Sequence, residues 1–591
     1  MSGIMLPLET LDANPISRIP ADVLVYIFML CVQIQERGDW IAIRYYGRRW
    51  FSFSHVCQTW REIALGCASL WTKPDFNFPY LAKQMLERSK PALLDIEFEH
   101  DLLDSEKTWS IKEGVLLRAL LHPDRIQSLR LRLRRTDKDP AEKLLSALTK
   151  INAPSLRLLE VHVGIFCVGG LTLPHGFFEG NTPRLSHLQL HSCIIPSASP
   201  LLSNLTHLRL LCISQYPSFL NVLRKTPLLV SLEITFPCPE LDSDGGLVFL
   251  PHLQRLHLTL SFRGTPDILF YLSFPETTQL FIECQYRSPS QPWVVHSQIM
   301  MNAITSLVGM STHREIKTLA LRTTGPKRDS LGTKTGAIIL EAWNSDVSTN
   351  ADGLNSSSPP HLQVQLSWEA YHPKQKDPPI PYAAGVKAAL GGLPLPNLES
   401  FYLNVCLTLD MARYDIIKEC LESLRTSSSL RKLHVLGDSS NQLYPIYGMM
   451  GVATTTATAK QGPSRFPALE TLSISHLDYR YAECAVIKVL SMCGRQRKLV
   501  IRHCRNVTRA DITFLEKYIE EVEWDESQAM PGCWDLTFRQ AIGSQKTGGS
   551  WILAFAWKFW GPHINVNLDL RCVILGYAFF LICTFKFGIS C

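Results

Sequence analysis

Apolar residues recur along this chain in one short phrase: apolar, two others, apolar, one other, apolar. It occurs as Leu185-x-x-Leu188-x-Leu190, Leu205-x-x-Leu208-x-Leu210, Leu229-x-x-Leu232-x-Ile234 and Leu253-x-x-Leu256-x-Leu258. Further copies stand at Ile126-Leu129-Leu131, Leu156-Leu159-Val161, Ile316-Leu319-Leu321, Leu398-Phe401-Leu403, Leu430-Leu433-Val435 and Leu469-Leu472-Ile474. Leu499 with Ile501 reads as a last, partial copy. The closing alternation predicts a strand that sends both of its apolar residues to one face. Leu208, Leu232, Leu256 and Leu280 follow one another at intervals of 24 residues. One such unit cannot bury its own apolar face, so the units are expected to stack.

A period of about 20–29 residues with this core is the leucine-rich-repeat pattern. The copies here are irregular. The array resembles the degenerate repeats of F-box proteins more than those of extracellular receptors. Cys193, Cys212 and Cys504 fall shortly after their strands, where an Asn or Cys often sits in such repeats. Two polar stretches interrupt the array, near 344–361 and 448–465, and the first is expected to be a mobile loop. Between them Leu362-Gln363-Val364-Gln365-Leu366 alternates as a strand does. The residues between the paired apolar positions are expected on the exposed strand face: Arg130, Arg132, His162, Gln189, Arg209, Glu233, His257, Arg322, Asn404 and His434. Most of a solvated face does nothing specific. If this face takes a ligand, its several cations would suit an acidic or phosphorylated segment.

The N-terminal pattern has a helical period. Val23, Leu24, Ile27, Phe28 and Cys31 share helical spacing, as do Val56, Cys57, Trp60, Ile63 and Ala64. Pro20 suits the first helical position and Asp22 the first turn. Short helices of this kind cannot build a large core, and leftover apolar surface usually marks a partner. An ordinary helical cap on the next domain is the plainer reading of the same spacing.

Ile19, Pro20, Asp22, Leu24, Ile27, Phe28, then Val56, Cys57, Trp60, Arg61, and a final Leu70-Trp71 together resemble an F-box. The form, with the later Met85-Leu86-Glu87-Arg88-Ser89, resembles the large F-box families of mushroom-forming fungi. The stretch from Gln33 to Arg49 is a longer insert than a compact F-box carries. The resemblance implies a Skp1-like adaptor as partner and, through it, a cullin–RING ubiquitin ligase. The Skp1-binding residues it implies are Ile19, Pro20, Val23, Leu24, Ile27, Phe28, Val56, Cys57, Trp60, Ile63, Leu70 and Trp71.

The expected fold class is α/β: an N-terminal three-helix F-box followed by an irregular leucine-rich-repeat solenoid. Expected boundaries are a tail over 1–15, the F-box over 16–75, a linker or first cap over 76–124, repeats over 125–540 and an atypical hydrophobic tail over 541–591. A length of 591 residues exceeds one compact core. A hydrophobic content of 46% with 19% charged residues describes a globular chain. The net charge of +6 is small for this length, and no nucleic-acid motif accompanies it.

The 17 cysteines include no Cys-x-x-Cys pair and no zinc spacing, so buried thiols in a reducing compartment are expected. No signal peptide opens the chain. Phosphate loops, dinucleotide fingerprints, nucleophile elbows and zinc-protease motifs are missing from the sequence. No catalytic set, cofactor or metal is expected, and His503-Cys504 reads as packing. In the tail, Cys572–Phe585 runs 14 residues without a charge. A tail anchor, a buried terminal element and sequence outside the evolved fold all fit that run.

The expected function is substrate recognition for a Skp1–cullin–F-box ligase, in the cytoplasm, the nucleus or both, with an unknown client protein. A scaffold that binds Skp1 without ubiquitinating a client is one alternative. An enzyme or nucleic-acid binder with accidental F-box likeness is another.

Overall fold

The computed structural model describes residues 19–36, 49–100, 105–133, 138–164, 171–211, 219–236, 246–261, 265–286, 301–306, 315–328, 334–347, 359–370, 382–405, 419–420, 423–424, 427–436, 468–476, 498–504, 507–517 and 519–525. All of them lie in the compact unit Met1–Gln528. The hydrophobic tail falls outside the described residues. Among those described, no helix is long and apolar enough to cross a membrane.

The chain is mixed α/β with one large, mostly parallel sheet. Helices come first: α1 (Ala21–Glu36), α2 (Gln58–Gly66) and α3 (Pro79–Arg88), with 3-10 turns at Arg49–His55 and Ala68–Trp71. Strand β1 (Leu94–His100) follows, then helix α4 (Glu106–Leu120). The Ser105 hydroxyl caps α4 by accepting the Thr108 N–H at 3.1 Å. The next strands are β2 (Ile126–Leu133), β3 (Leu158–Val163), β4 (His187–His191), β5 (His207–Leu211), β6 (Ser231–Phe236), β7 (Arg255–Ser261) and β8 (Gln279–Tyr286). The last eight are β9 (Thr318–Arg328), β10 (Lys334–Trp343), β11 (Leu362–Ala370), β12 (Ser400–Val405), β13 (Lys432–Leu436), β14 (Thr471–Ser475), β15 (Lys498–Arg502) and β16 (Glu521–Trp524).

From β1 to β8 each strand pairs in parallel with the next one in sequence. The 24-residue spacing becomes register here: Leu208, Leu232, Leu256 and Leu280 are successive partners on β5 to β8. Their side chains enter one face, called the back. There Leu129, Leu159, Leu188, Leu208, Leu232 and Leu256 join a continuous apolar core running from Phe76 to Ile519.

Two departures from the sequence expectation stand out. Strand order reverses in the middle, as β8-β11-β10-β9-β12, with β10 antiparallel to both neighbours. The unit at Ile316-Leu319-Leu321 therefore does not pair with β8. The chain lays β9 against β12, turns back through β10, and returns to β8 with β11. The array also begins before its expected start: Leu94–His100 is a strand inside the expected linker or cap region. At the other end β16 follows the partial copy at Leu499 and Ile501, within the expected 125–540.

A second, smaller core holds Leu24, Phe28, Phe53, Ala64, Leu70, Trp71 and Met85. It reaches past residue 75, because α3 serves both cores: Met85 enters the small one and Ala82 the large one. Arg88 lies over the Trp71 ring at 4.6 Å. Buried Ser89 accepts a hydrogen bond from Arg125 Nη2 at 2.7 Å.

Candidate functional site

The first surface is the helical segment that precedes the sheet. Phe28 stacks on Phe53 at 4.0 Å and meets Trp60 edge-on at 5.3 Å. Trp71 Nε1 donates to Ala64 O at 2.9 Å, and Arg61 Nε donates to Ser54 O at 2.9 Å. Leu24, Phe28, Leu70 and Trp71 are thus spent on the segment's own core. Ile19, Ile27, Trp60 and Ile63 are half-buried, while Pro20 and Cys57 are exposed. Pro20 sits one residue before α1, and its carbonyl accepts the Leu24 N–H at 3.1 Å.

Helix α1 is apolar on a second face as well. Val23, Tyr26 and Leu30 are exposed by 43%, 65% and 37%, and Val56 by 49%. Positions 23, 26 and 30 follow helical spacing, so they form one stripe opposite Leu24 and Phe28. Tyr26 and Leu30 were not among the expected docking residues. Their signal was in the sequence, as a second apolar period in a helix too hydrophobic for one buried face. Of the insert after Gln33, residues 37–48 lie outside the described residues.

The second surface is the front of the sheet. Register lines up Glu97, Arg130, Glu160, Gln189, Arg209, Glu233, His257 and Phe281 in one row across β1 to β8, roughly 4.8 Å per step. Five of the expected face residues, namely Arg130, Gln189, Arg209, Glu233 and His257, are brought together in it. Arg132 and His162 stand one row further along.

The cations are already matched. Arg132 reaches Glu97 at 2.7 Å and Glu160 at 3.4 Å, and Arg130 lies 3.5 Å from Glu160. Arg209 meets Glu233 at 2.9 Å, with His257 at 4.0 Å from the same carboxylate. His162 packs on His191 at 3.8 Å. Counter-charges Glu97 and Glu160 were missed from sequence because they come from neighbouring strands.

Further along, the front is covered. After β10 the chain turns across it. Thr318 Oγ1 donates to Ser345 O at 2.8 Å, Ser400 Oγ donates to Asp346 Oδ1 at 3.1 Å, and Lys432 pairs with Asp346. Tyr402 donates to Val347 O at 2.8 Å. Ala320, Trp343, Val347 and Tyr402 form a small apolar cluster there. Residues 344–347, expected to be mobile, are therefore tied down; 348–358 lie outside the described residues.

His434 stacks on Tyr402 at 4.1 Å and is covered rather than open. Burial, with Lys432 and Arg502 nearby outweighing Asp346, lowers its pKa to about 4. Burial and Asp346 push the Tyr402 hydroxyl up to about 12. Arg322 donates from Nε to Glu341 at 3.0 Å, with half-buried Asn404 as its partner on β12.

His503 and Cys504 part company. His503 Nδ1 lies 3.4 Å from Asp525, while Cys504 is buried with Sγ 3.4 Å from Arg502 O. Cys193 repeats that turn, with Sγ 3.4 Å from His191 O. In both cases the preceding residue, His503 or Ser192, has positive φ. Cys212 lies outside the described residues. Among those described, no three His, Cys, Asp or Glu side chains group as a metal cage. No protein-family model matches this chain, and no curated protein matches it either.

Proposed function

We propose that this chain is a recognition subunit of a Skp1–cullin–F-box ubiquitin ligase. In this reading the helical segment is an F-box that docks a Skp1-like adaptor, and the sheet is a degenerate leucine-rich-repeat array that holds a client. Catalysis belongs to the ligase, and the chain contributes proximity and effective concentration. The observation that carries the reading is the open Val23-Tyr26-Leu30 stripe on a helix whose other face is already packed. It lies on the same helix as the residues that resemble an F-box, and Val23 is one of the docking residues which that resemblance implies.

The strand-after-strand parallel order of β1–β8 and the buried Cys193 and Cys504 turns support the repeat assignment. The ion-paired state of Arg130, Arg132 and Arg209 takes support away from an acidic client. The open front of β1 to β8 is the client face in this reading.

The test uses the full chain and a purified Skp1-like adaptor. Val23→Glu with Leu30→Glu replaces side chains outside the small core, so circular dichroism should stay unchanged while adaptor binding is lost. Unchanged binding by the folded double variant would sink the F-box assignment. The stripe would then be covered by something else.

A further inference from the structure

We infer that His187 and His207 form a surface site for one divalent transition-metal ion of the imidazole-preferring kind, such as Ni²⁺, Cu²⁺ or Zn²⁺. This goes beyond the adaptor reading and does not depend on it.

The two residues are register partners on the parallel strands β4 and β5. Their rings stack with centroids 4.0 Å apart and planes only 9° from parallel. Each is anchored in the same way by the residue before it. Ser186 Oγ lies 2.9 Å from His187 Nδ1, and Thr206 Oγ1 lies 2.9 Å from His207 Nδ1.

The hydroxyls are compatible with the ligating tautomer. A hydroxyl has one proton to give. Thr206 Oγ1 reaches Ser186 O at 3.1 Å and Ser186 Oγ reaches Arg157 O at 3.4 Å, so each hydroxyl has a carbonyl to donate to when its oxygen accepts an Nδ1–H. That is the neutral tautomer with its lone pair on Nε2, which an ion bound at Nε2 selects. No hydrogen-bond partner occupies either Nε2 among the described residues.

This is the arrangement a histidine ligand needs: one nitrogen held by a donor bond, the other bare. Burial, His187 and Arg255 lower the His207 pKa, which favours the neutral, ligating form.

The spacing is close to that of a shared ion but must tighten. Two nitrogens about 2.0–2.1 Å from one metal at tetrahedral or cis angles are about 2.9–3.4 Å apart. Equivalent atoms of the two parallel rings are separated by about the ring spacing, 4.0 Å, with their lone pairs side by side. Binding therefore unstacks the pair, each ring tilting its Nε2 toward the other, a movement exposed His187 has room to make. The site supplies two ligands. The remaining positions go to water or to a side chain of a partner seated on this face. Imidazole-only ligation selects Ni²⁺, Cu²⁺ or Zn²⁺ over Mg²⁺ and Ca²⁺, which prefer oxygen.

The experiment is titration of the full chain with Ni²⁺, comparing wild type with His187→Gln, His207→Gln and the double variant. Cysteine thiols contribute equally to all four, so the difference isolates the pair. Wild type should bind one more equivalent of Ni²⁺ than the double variant. Each single variant should weaken that site about tenfold or more. Thr206→Val, which leaves both imidazoles, should also weaken it by about tenfold through loss of the anchor. The substituted positions are on the sheet surface, and circular dichroism checks the fold. Equal Ni²⁺ stoichiometry and affinity in wild type and a folded double variant would overturn the site. Retention by both singles with loss only in the double would also overturn the shared-ion geometry.

Discussion

On β1 to β7 the front of the sheet is a ladder of charges that meet across strands and stay partly wet. Arg209 and Glu233 are 44% and 27% exposed. On β9, β12 and β13 the same geometric face is roofed, with Tyr402 at 2% and Trp343 at 4% exposure. The strands are built alike in both regions, with apolar residues going to the back. What differs is one turn of chain, Asn344–Val347, which crosses the front after the antiparallel β10 and brings its own polar anchors. A strand face in such an array is therefore not open merely because its residues alternate. Its chemistry depends on what the connections place over it. Exposed ion pairs contribute little to stability, whereas a roofed aromatic cluster removes water and contributes much more.

The sharpest way to break this comparison is Trp343→Ala. Truncating a buried Trp typically costs about 3–5 kcal/mol. The loss should uncover Tyr402 and His434 together, so the His434 pKa should move back up toward the ordinary value. His257→Ala, on the open part of the front, should cost less than about 0.5 kcal/mol. Urea unfolding of both variants gives the costs, and NMR titration of the imidazole gives the pKa. Similar small losses for the two substitutions would remove the distinction between roofed and open regions.

The sequence carried the first region better than the second. The spacing of Leu208, Leu232, Leu256 and Leu280 predicted neighbouring strands, and those four residues are register partners. That success is local in origin, because each unit pairs with the next. The reversal at β9 to β11 is a non-local choice of partners, and periodicity says nothing about it. Ala337-Ile338-Ile339-Leu340 reads only as an apolar run, since β10 has neighbours on both edges and a covered front. Asn344–Val347 looked like loop because its composition is polar. Its order comes from Thr318, Ser400, Tyr402 and Lys432, which are distant in sequence.

In the helical segment the helical spacing of Val23, Leu24, Ile27, Phe28 and Cys31 was legible, and it falls on one helix. Which of them face inward was not: Leu24 and Phe28 are core while Val23 is open, beside Tyr26, which the sequence reading did not include. The ion pairs of Arg130 and Arg132 were hidden for the same reason: their carboxylates belong to other strands.

A second test uses pH. His434 has a folded pKa of about 4, below its ordinary value of about 6.5, because burial and the nearby Lys432 and Arg502 outweigh Asp346. Between those two values the unfolded chain holds a proton that the folded chain lacks. Stability rises with pH wherever the unfolded state binds more protons. The contribution is therefore complete above pH ~6.5 and is lost progressively as pH falls toward 4. Its size is on the order of 3 kcal/mol. His434→Gln should flatten the acid limb of the unfolding midpoint against pH. An identical pH dependence in wild type and His434→Gln would mean that the roof does not hold the imidazole neutral.

The smallest effect belongs to the ladder itself. Arg209 and Glu233 lie 2.9 Å apart on neighbouring strands, but Arg209 is 44% exposed and water competes for both groups. Exposed pairs of this kind couple by about 0.2–1 kcal/mol, and salt screens them further. A double-mutant cycle with Arg209→Ala and Glu233→Ala should give a coupling in that range at low ionic strength and close to zero in 1 M salt. His257 also approaches Glu233, so the cycle needs repeating in His257→Ala to keep the third member from substituting for Arg209. A coupling well above 1 kcal/mol that survives high salt would show that the ladder excludes water as the roofed region does. The front of β1 to β7 would then count as structural, and its claim to be the open, partner-facing half of the sheet would fall.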